Sequence, residues 1–293
     1  MAALGANCGI ALAKFAGFVV TGSSSMLAEA VHSVADTANQ ALLLLGRRTS
    51  RRAADLEHPF GYGRERYFYS FVVALLLFSL GGLFALYEGV HKLREPEPLT
   101  FPLVAVAILA VAVALEGYSF RTAMAESREL KGSASWWRFV RKAKVPELPI
   151  VLLEDTAALL GLAFALVGVV LSLLTGNPQW DGVATIAIGL LLGAVAAVLI
   201  VEMKSLLIGE GVSKQELETI VDELEKAEID RVIHIRTQYL GPEELLVAAK
   251  IALPGALTIE QVASAIDAAE RRIRAKMPTA RLIYLEPDLD RAG

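Results

Sequence analysis

MLAEAVHSVADTANQALLLLG, residues 26–46, is an apolar stretch of bilayer-spanning length with an imidazole and carboxylates in it. Ionisable groups inside such a segment are costly unless paired, and they mark pathways for ions or protons. On a helix, residues four apart share a face, so His32 and Asp36 stand side by side. Asn39, three residues beyond Asp36, reads either as a group that orients Asp36 or as one that lines a path. Within a bilayer the backbone must satisfy its own hydrogen bonds, so the stretch is a spanning helix.

Working outward, the chain has 293 residues, 55% of them hydrophobic, and the surplus is uneven. Every long apolar run lies within 1–208. A span needs roughly 20 apolar residues, and six segments qualify: 3–21, 24–46, 67–93, 101–124, 148–174 and 181–207. Lys and Arg crowd two connections: Arg47, Arg48, Arg51, Arg52, Arg64 and Arg66 in one, and Arg121 to Lys144 in the other. The opposite turns are poor in basic residues, so both termini are expected on the cytoplasmic side. No basic region precedes the first apolar run, so no cleavable signal peptide is expected. With no transit peptide visible, a bacterial cytoplasmic membrane is the expected location.

Residues 209–293 read differently. Ser213 and Glu216 form a capping-box pattern that opens a polar amphipathic helix to about Ala227. Residues 232–239 and 245–253 alternate around a Gly241-Pro242 turn, the pattern of a hairpin. Thr258, with Gln261 three residues on, starts a second helix to Met277, and 281–285 makes a last strand. The expected architecture is an all-α membrane domain of six transmembrane helices (1–208) plus a small α+β cytoplasmic domain (209–293). The latter has the order αββαβ, ferredoxin-like, with helices on one face of a three-stranded sheet.

Glu154 and Asp155 interrupt the fifth apolar run. As neighbours on a helix they point about 100° apart, so only one faces the His32/Asp36 face squarely. Asp155 is the surer ligand. Glu154 reads as a fourth ligand, a proton acceptor or a hydrogen-bonding partner of a neighbouring helix. The residue four before Asp155 is Val151, which supplies no second ligand. Glu116 reads as a partner of Glu29 through a shared proton or of a basic group, and Lys14 as snorkelling or paired with a carboxylate. Glu88, His91 and Asp181 lie near helix ends, where solvation or capping explains them. The GLLLG of Gly189–Gly193 has close-packing spacing. The linker His58-Pro59-Phe60-Gly61-Tyr62-Gly63 reads as a structured loop or as a relay using His58. Residues 133–144, with Trp136 and Trp137 among basic residues, read as an interfacial amphipathic helix that anchors on lipid or serves as a partner site. Cys8, the single cysteine, excludes a disulfide framework and reads as a packing residue.

Net charge is −4, with no basic signature for nucleic acid. No HExxH, GxSxG, P-loop or CxxC occurs, so neither an enzyme nor an ATP-driven pump is indicated. An imidazole with carboxylates suits Zn2+ as the carried ion; Mn2+, Fe2+ and Co2+ share the ligand chemistry. A metal sensor or scaffold without flux and a passive cation channel are the competing classes.

Met26–Asp36, the HPFGYG linker, the six spans and the αββαβ tail together resemble the cation diffusion facilitator family over essentially the whole chain. LLEDTAA at 152–158 with Gly176-Asn177-Pro178 is similar, within it, to the branch of the mitochondrial zinc transporter nine of animals. The resemblance implies a homodimeric divalent-cation/proton antiporter that exports zinc by alternating access. It implies an intramembrane site with His32, Asp36 and Asp155 as ligands, the family's fourth position falling on Val151. In the tail, His234 is the one histidine, and Tyr284 stands beside Glu286 where a ligand is expected. The tail is therefore expected to dimerise without a full binuclear zinc site.

Overall fold

The computed structural model describes residues 2–132, 135–226 and 229–288, apart from the side chains of 2–8, 126, 129, 130 and 142. The packing role expected of Cys8 lies outside the described residues. The chain divides into two compact units, Met1–Arg48 with Tyr67–Lys204, and Thr49–Arg66 with Ser205–Gly293.

Helices α1 (Ala2–Thr21), α2 (Ser24–Thr49), α3 (Glu65–Arg94), α4 (Pro102–Lys131), α5 (Trp136–Lys142), α6 (Glu147–Thr175) and α7 (Gln179–Ile208) account for the first unit. Among the described residues, four helices are by length and composition apolar enough to cross a membrane: α3, the Pro102–Ala125 part of α4, α6 and α7. Of α1, the part whose side chains are described, Gly9–Thr21, is likewise apolar. In α2 the apolar run is diluted by Glu29, His32, Ser33, Asp36, Thr37, Asn39 and Gln40. Its polar face is what sets it apart. Of the segment expected over 133–144, residues 133 and 134 lie outside the described residues, and the helix itself is Trp136–Lys142. Ser135 caps it by accepting from the Arg138 N–H at 3.3 Å.

The breaks between helices follow local chemistry. Gly22 ends α1 at φ +68°, and Gly176 ends α6 at φ +66° with Asn177-Pro178 behind it. Only glycine adopts that left-handed backbone without cost, and proline then blocks continuation. The buried N-terminus of α2 is satisfied from a distance. Asp181 accepts from the Ser24 N–H at 2.7 Å, from Ser23 Oγ at 2.8 Å and from Ser24 Oγ at 3.1 Å. Ser25 Oγ donates to it as well. Asp181 is fully buried, so solvation does not explain it. It caps α2 rather than its own helix, and the carboxylate at a helix N-terminus is favourable.

α3 contains one irregular segment, a π-helical stretch at Leu77–Leu83 that includes Gly81-Gly82. It faces the GLLLG of α7. A methyl at Gly189 would come 2.7 Å from the Leu86 backbone nitrogen and 3.0 Å from the Gly82 carbonyl oxygen. A methyl at Gly82 would meet the Gly193 backbone at 3.1 Å. The small residues thus let two helix backbones touch, which is how helices associate where lipid is the solvent.

In the second unit the elements are α8 (Lys214–Leu224), β1 (Arg231–Gly241), β2 (Glu244–Ala252), α9 (Ile259–Lys276) and β3 (Leu282–Asp288). The sheet order is β1-β2-β3, with β1–β2 antiparallel and β2–β3 parallel. Both capping boxes form: Ser213 with Glu216, and Thr258 with Gln261. Alternate residues of β2, Leu245, Val247 and Ile251, are fully buried with Ile220, Leu224, Ala269 and Ile273 of the helices. Each large aliphatic side chain buried this way contributes about 1.5–3 kcal/mol.

The linker is an ordered part of this unit. Asp55 accepts from the backbone N–H of His58 at 2.7 Å and from the Tyr62 hydroxyl at 2.6 Å. The Tyr62 hydrogen bond holds the Asp55 carboxyl below its ordinary range, and the same bond raises Tyr62. The His58 and Tyr62 rings lie 4.4 Å apart, with the Arg52 guanidinium 4.2 Å from the Tyr62 ring centre. Gly63 abuts β1 so closely that a methyl there would sit 2.7 Å from the Leu240 carbonyl oxygen.

Candidate metal centre

The helical repeat of α2 places Glu29, His32, Ser33, Asp36 and Asn39 along one side of the helix. Glu29, His32 and Asn39 are fully buried, and the Asp36 side chain is 15% exposed. His32 Nε2 lies 3.6 Å from Asp36 Oδ2, beyond hydrogen-bonding distance. Among the described residues, both ring nitrogens of His32, Asp36 Oδ1 and Asn39 Oδ1 are buried with no hydrogen-bond partner. Each such atom costs about 1–3 kcal/mol. A cation would take the lone pairs of this row, those of one His32 ring nitrogen, Asp36 Oδ1 and Asn39 Oδ1, while the second His32 nitrogen of the neutral ring carries a hydrogen and is not satisfied by it.

α6 meets this row through one side chain. Glu154 is buried, and its Oε1 accepts from Asn39 Nδ2. Asp155, next along the helix, points elsewhere: its Oδ2 accepts from Ser119 Oγ of α4 at 3.4 Å. Asn39 therefore holds Glu154 in place rather than Asp36. The structure brings His32 and Asp36 together, joins Asn39 to Glu154, and directs Asp155 towards α4. Among the described residues, no three His, Cys, Asp or Glu side chains converge closely enough to hold an ion. Ser119 was not foreseen; its one signal is its position three residues after Glu116, on the same helix face.

Lys14 and Glu116 resolve their alternatives. Lys14 does not snorkel: it is fully buried, 3.1 Å from Glu29 Oε2 and 3.9 Å from Glu116 Oε1. In the second unit, His234 is exposed on β1 opposite Lys250, while Glu286 and Asp288 pair with Lys250 at 3.2 and 2.8 Å. Tyr284 is exposed.

The family model for the cation efflux transmembrane domain matches residues 1–208. The chain belongs to the cation efflux family. Among curated relatives it is 36% identical over 245 residues to the mitochondrial proton-coupled zinc antiporter SLC30A9 of Xenopus laevis, covering 83% of this chain and 44% of that protein. It is 33% identical over 252 residues to metal tolerance protein C4 of Arabidopsis thaliana, covering 84% and 55%. This chain thus spans about half the length of the curated relatives it matches. A solved C-terminal domain of MamM aligns at 19% identity over 26% of this chain and 96% of that one, with TM-score 0.25. As a cation efflux protein, the chain is a membrane helical domain followed by a small α/β domain. Its buried row on α2 and α6 lies wholly inside the matched transmembrane domain.

Proposed function

We propose that this chain is a divalent-cation/proton antiporter that exports zinc from the cytoplasm by alternating access. The single observation that carries the reading is the buried row on α2, in which, among the described residues, both nitrogens of His32 and an oxygen of Asp36 have no hydrogen-bond partner. The relatives named as a proton-coupled zinc antiporter and a metal tolerance protein support the same reading.

In this proposal His32 and Asp36 are the primary ligands. Asp155 completes the site by rotating from Ser119, and Glu154, held by Asn39, is either a fourth ligand or a proton acceptor. Zinc is the expected cargo, and Mn2+, Fe2+ and Co2+ fit the same donors. These groups bind metal only when deprotonated, so loading releases protons and a pH gradient drives exchange. All six long helices, α1–α4, α6 and α7, cross the membrane, both termini are cytoplasmic, and residues 209–293 join two copies as a homodimer in a bacterial cytoplasmic membrane. No catalytic cofactor and no chemical transformation is involved.

The test is zinc uptake into proteoliposomes under an imposed pH gradient, wild type beside Asp36→Ala. Gradient-dependent uptake that disappears in the variant is the expected result. Tight zinc binding without flux would replace the reading with a metal sensor, and flux indifferent to the gradient would replace it with a channel.

A further inference from the structure

A second polar cluster lies in the same unit and is not used by the proposed site. Lys14 of α1 is fully buried; its ammonium lies 2.8 Å from Ser33 Oγ, 3.1 Å from Glu29 Oε2 and 3.9 Å from Glu116 Oε1. Helices α1, α2 and α4 each contribute. One cation therefore faces two carboxylates, both nearly excluded from solvent. Glu29 Oε1 is buried without a hydrogen-bond partner and pressed against Gly161 of α6, where even a methyl group would collide with it. Two carboxylates and a hydroxyl around a positive charge form an oxygen cage of the kind that hard cations take. Here the occupant is tethered to the chain.

We propose that Glu29, Ser33 and Glu116 form a second cation site, which the protein fills with the ammonium of its own Lys14. Lacking a nitrogen donor, the site favours Mn2+ or Mg2+ over zinc. Lys14 keeps a carried ion from lodging there, so that the chain loads at the His32 row alone; this last step rests on the antiporter reading, whereas the site itself rests on geometry. Removing the ammonium leaves two buried carboxylates without a counter-charge, a costly state that an added divalent cation relieves.

The experiment counts Mn2+ bound to the full chain in detergent, by loss of the free-ion paramagnetic resonance signal. It is run in a His32→Ala background, which removes the principal ligand of the proposed primary site. Adding Lys14→Gln is expected to gain about one Mn2+ per chain, and adding Glu29→Gln as well is expected to abolish the gain. A folded Lys14→Gln protein with no gain, or a gain that survives Glu29→Gln, overturns the proposal. Where Lys14→Gln is poorly stable, thermal unfolding decides. Mn2+ should raise its melting temperature and leave that of Lys14→Gln/Glu29→Gln unchanged; no rise in the single variant overturns the site. Zinc uptake by the wild type is read separately, so failure of transport and failure of this site are distinct results.

Discussion

The two units handle their polar groups in opposite ways. In the second unit, polar side chains sit at helix caps and in surface ion pairs, as with Ser213–Glu216, Thr258–Gln261 and Lys250–Asp288. Its interior is mainly aliphatic, with Tyr239 among the core side chains. In the first unit, ionisable groups are placed where water is excluded and several are left short of partners. Among the described residues, five buried side-chain atoms without a hydrogen-bond partner belong to Glu29, His32, Asp36 and Asn39 on α2, in the first unit. A fold does not retain that cost without a use for it. The contrast separates a part built for stability from a part built to hold charge.

The sharpest way to break the contrast is at Asn39. Asn39→Ala removes the donor that holds Glu154, and losses of 10–100-fold in metal affinity or transport are expected, as for other groups that orient ligands (roughly that range). Zinc titration of the purified variant checks this, and an unchanged affinity would show that the Asn39–Glu154 contact is structural only. A substitution in the other unit should do the reverse. Ile251→Ala empties a fully buried position between sheet and helices and should cost about 2–5 kcal/mol in unfolding free energy. Zinc affinity at the α2 row should not change; a parallel loss of affinity would join what the contrast separates.

The smallest effect is a pH dependence confined to the second unit. Burial pushes the Tyr239 phenol up to about 12. A group whose folded value is raised lends stability that is complete below its unfolded value near 10 and is lost as pH rises to the folded one. Denaturant unfolding of the full chain should therefore show a fall in stability between about pH 10 and 12, flattened by Tyr239→Phe. An identical fall in the variant would assign it to other groups.

Much of this architecture was legible in the sequence, for reasons that are local. Apolar runs bounded by Gly22-Ser23 or Gly176-Asn177-Pro178 mark helices and their ends, and the two capping boxes mark where α8 and α9 begin. His32 and Asp36 could be paired because their spacing is a property of one helix. What could not be read arises between segments far apart in the chain. Asp181 capping α2 through Ser23, Ser24 and Ser25, Asn39 holding Glu154, Asp155 meeting Ser119, and Lys14 neutralising Glu29 all depend on how helices pack. The π-helical stretch at Leu77–Leu83 has no local signature beyond two adjacent glycines. The sequence pattern also rated Asp155 above Glu154, while the packing turns Glu154 towards α2.

The most direct measurement is X-ray absorption at the zinc edge on the zinc-loaded full chain, beside His32→Ala. The expected shell contains one imidazole nitrogen at about 2.0–2.1 Å with carboxylate oxygens and no sulfur, and the imidazole signature disappears in the variant. A shell unchanged by His32→Ala would contradict the assignment of the metal to the buried row on α2.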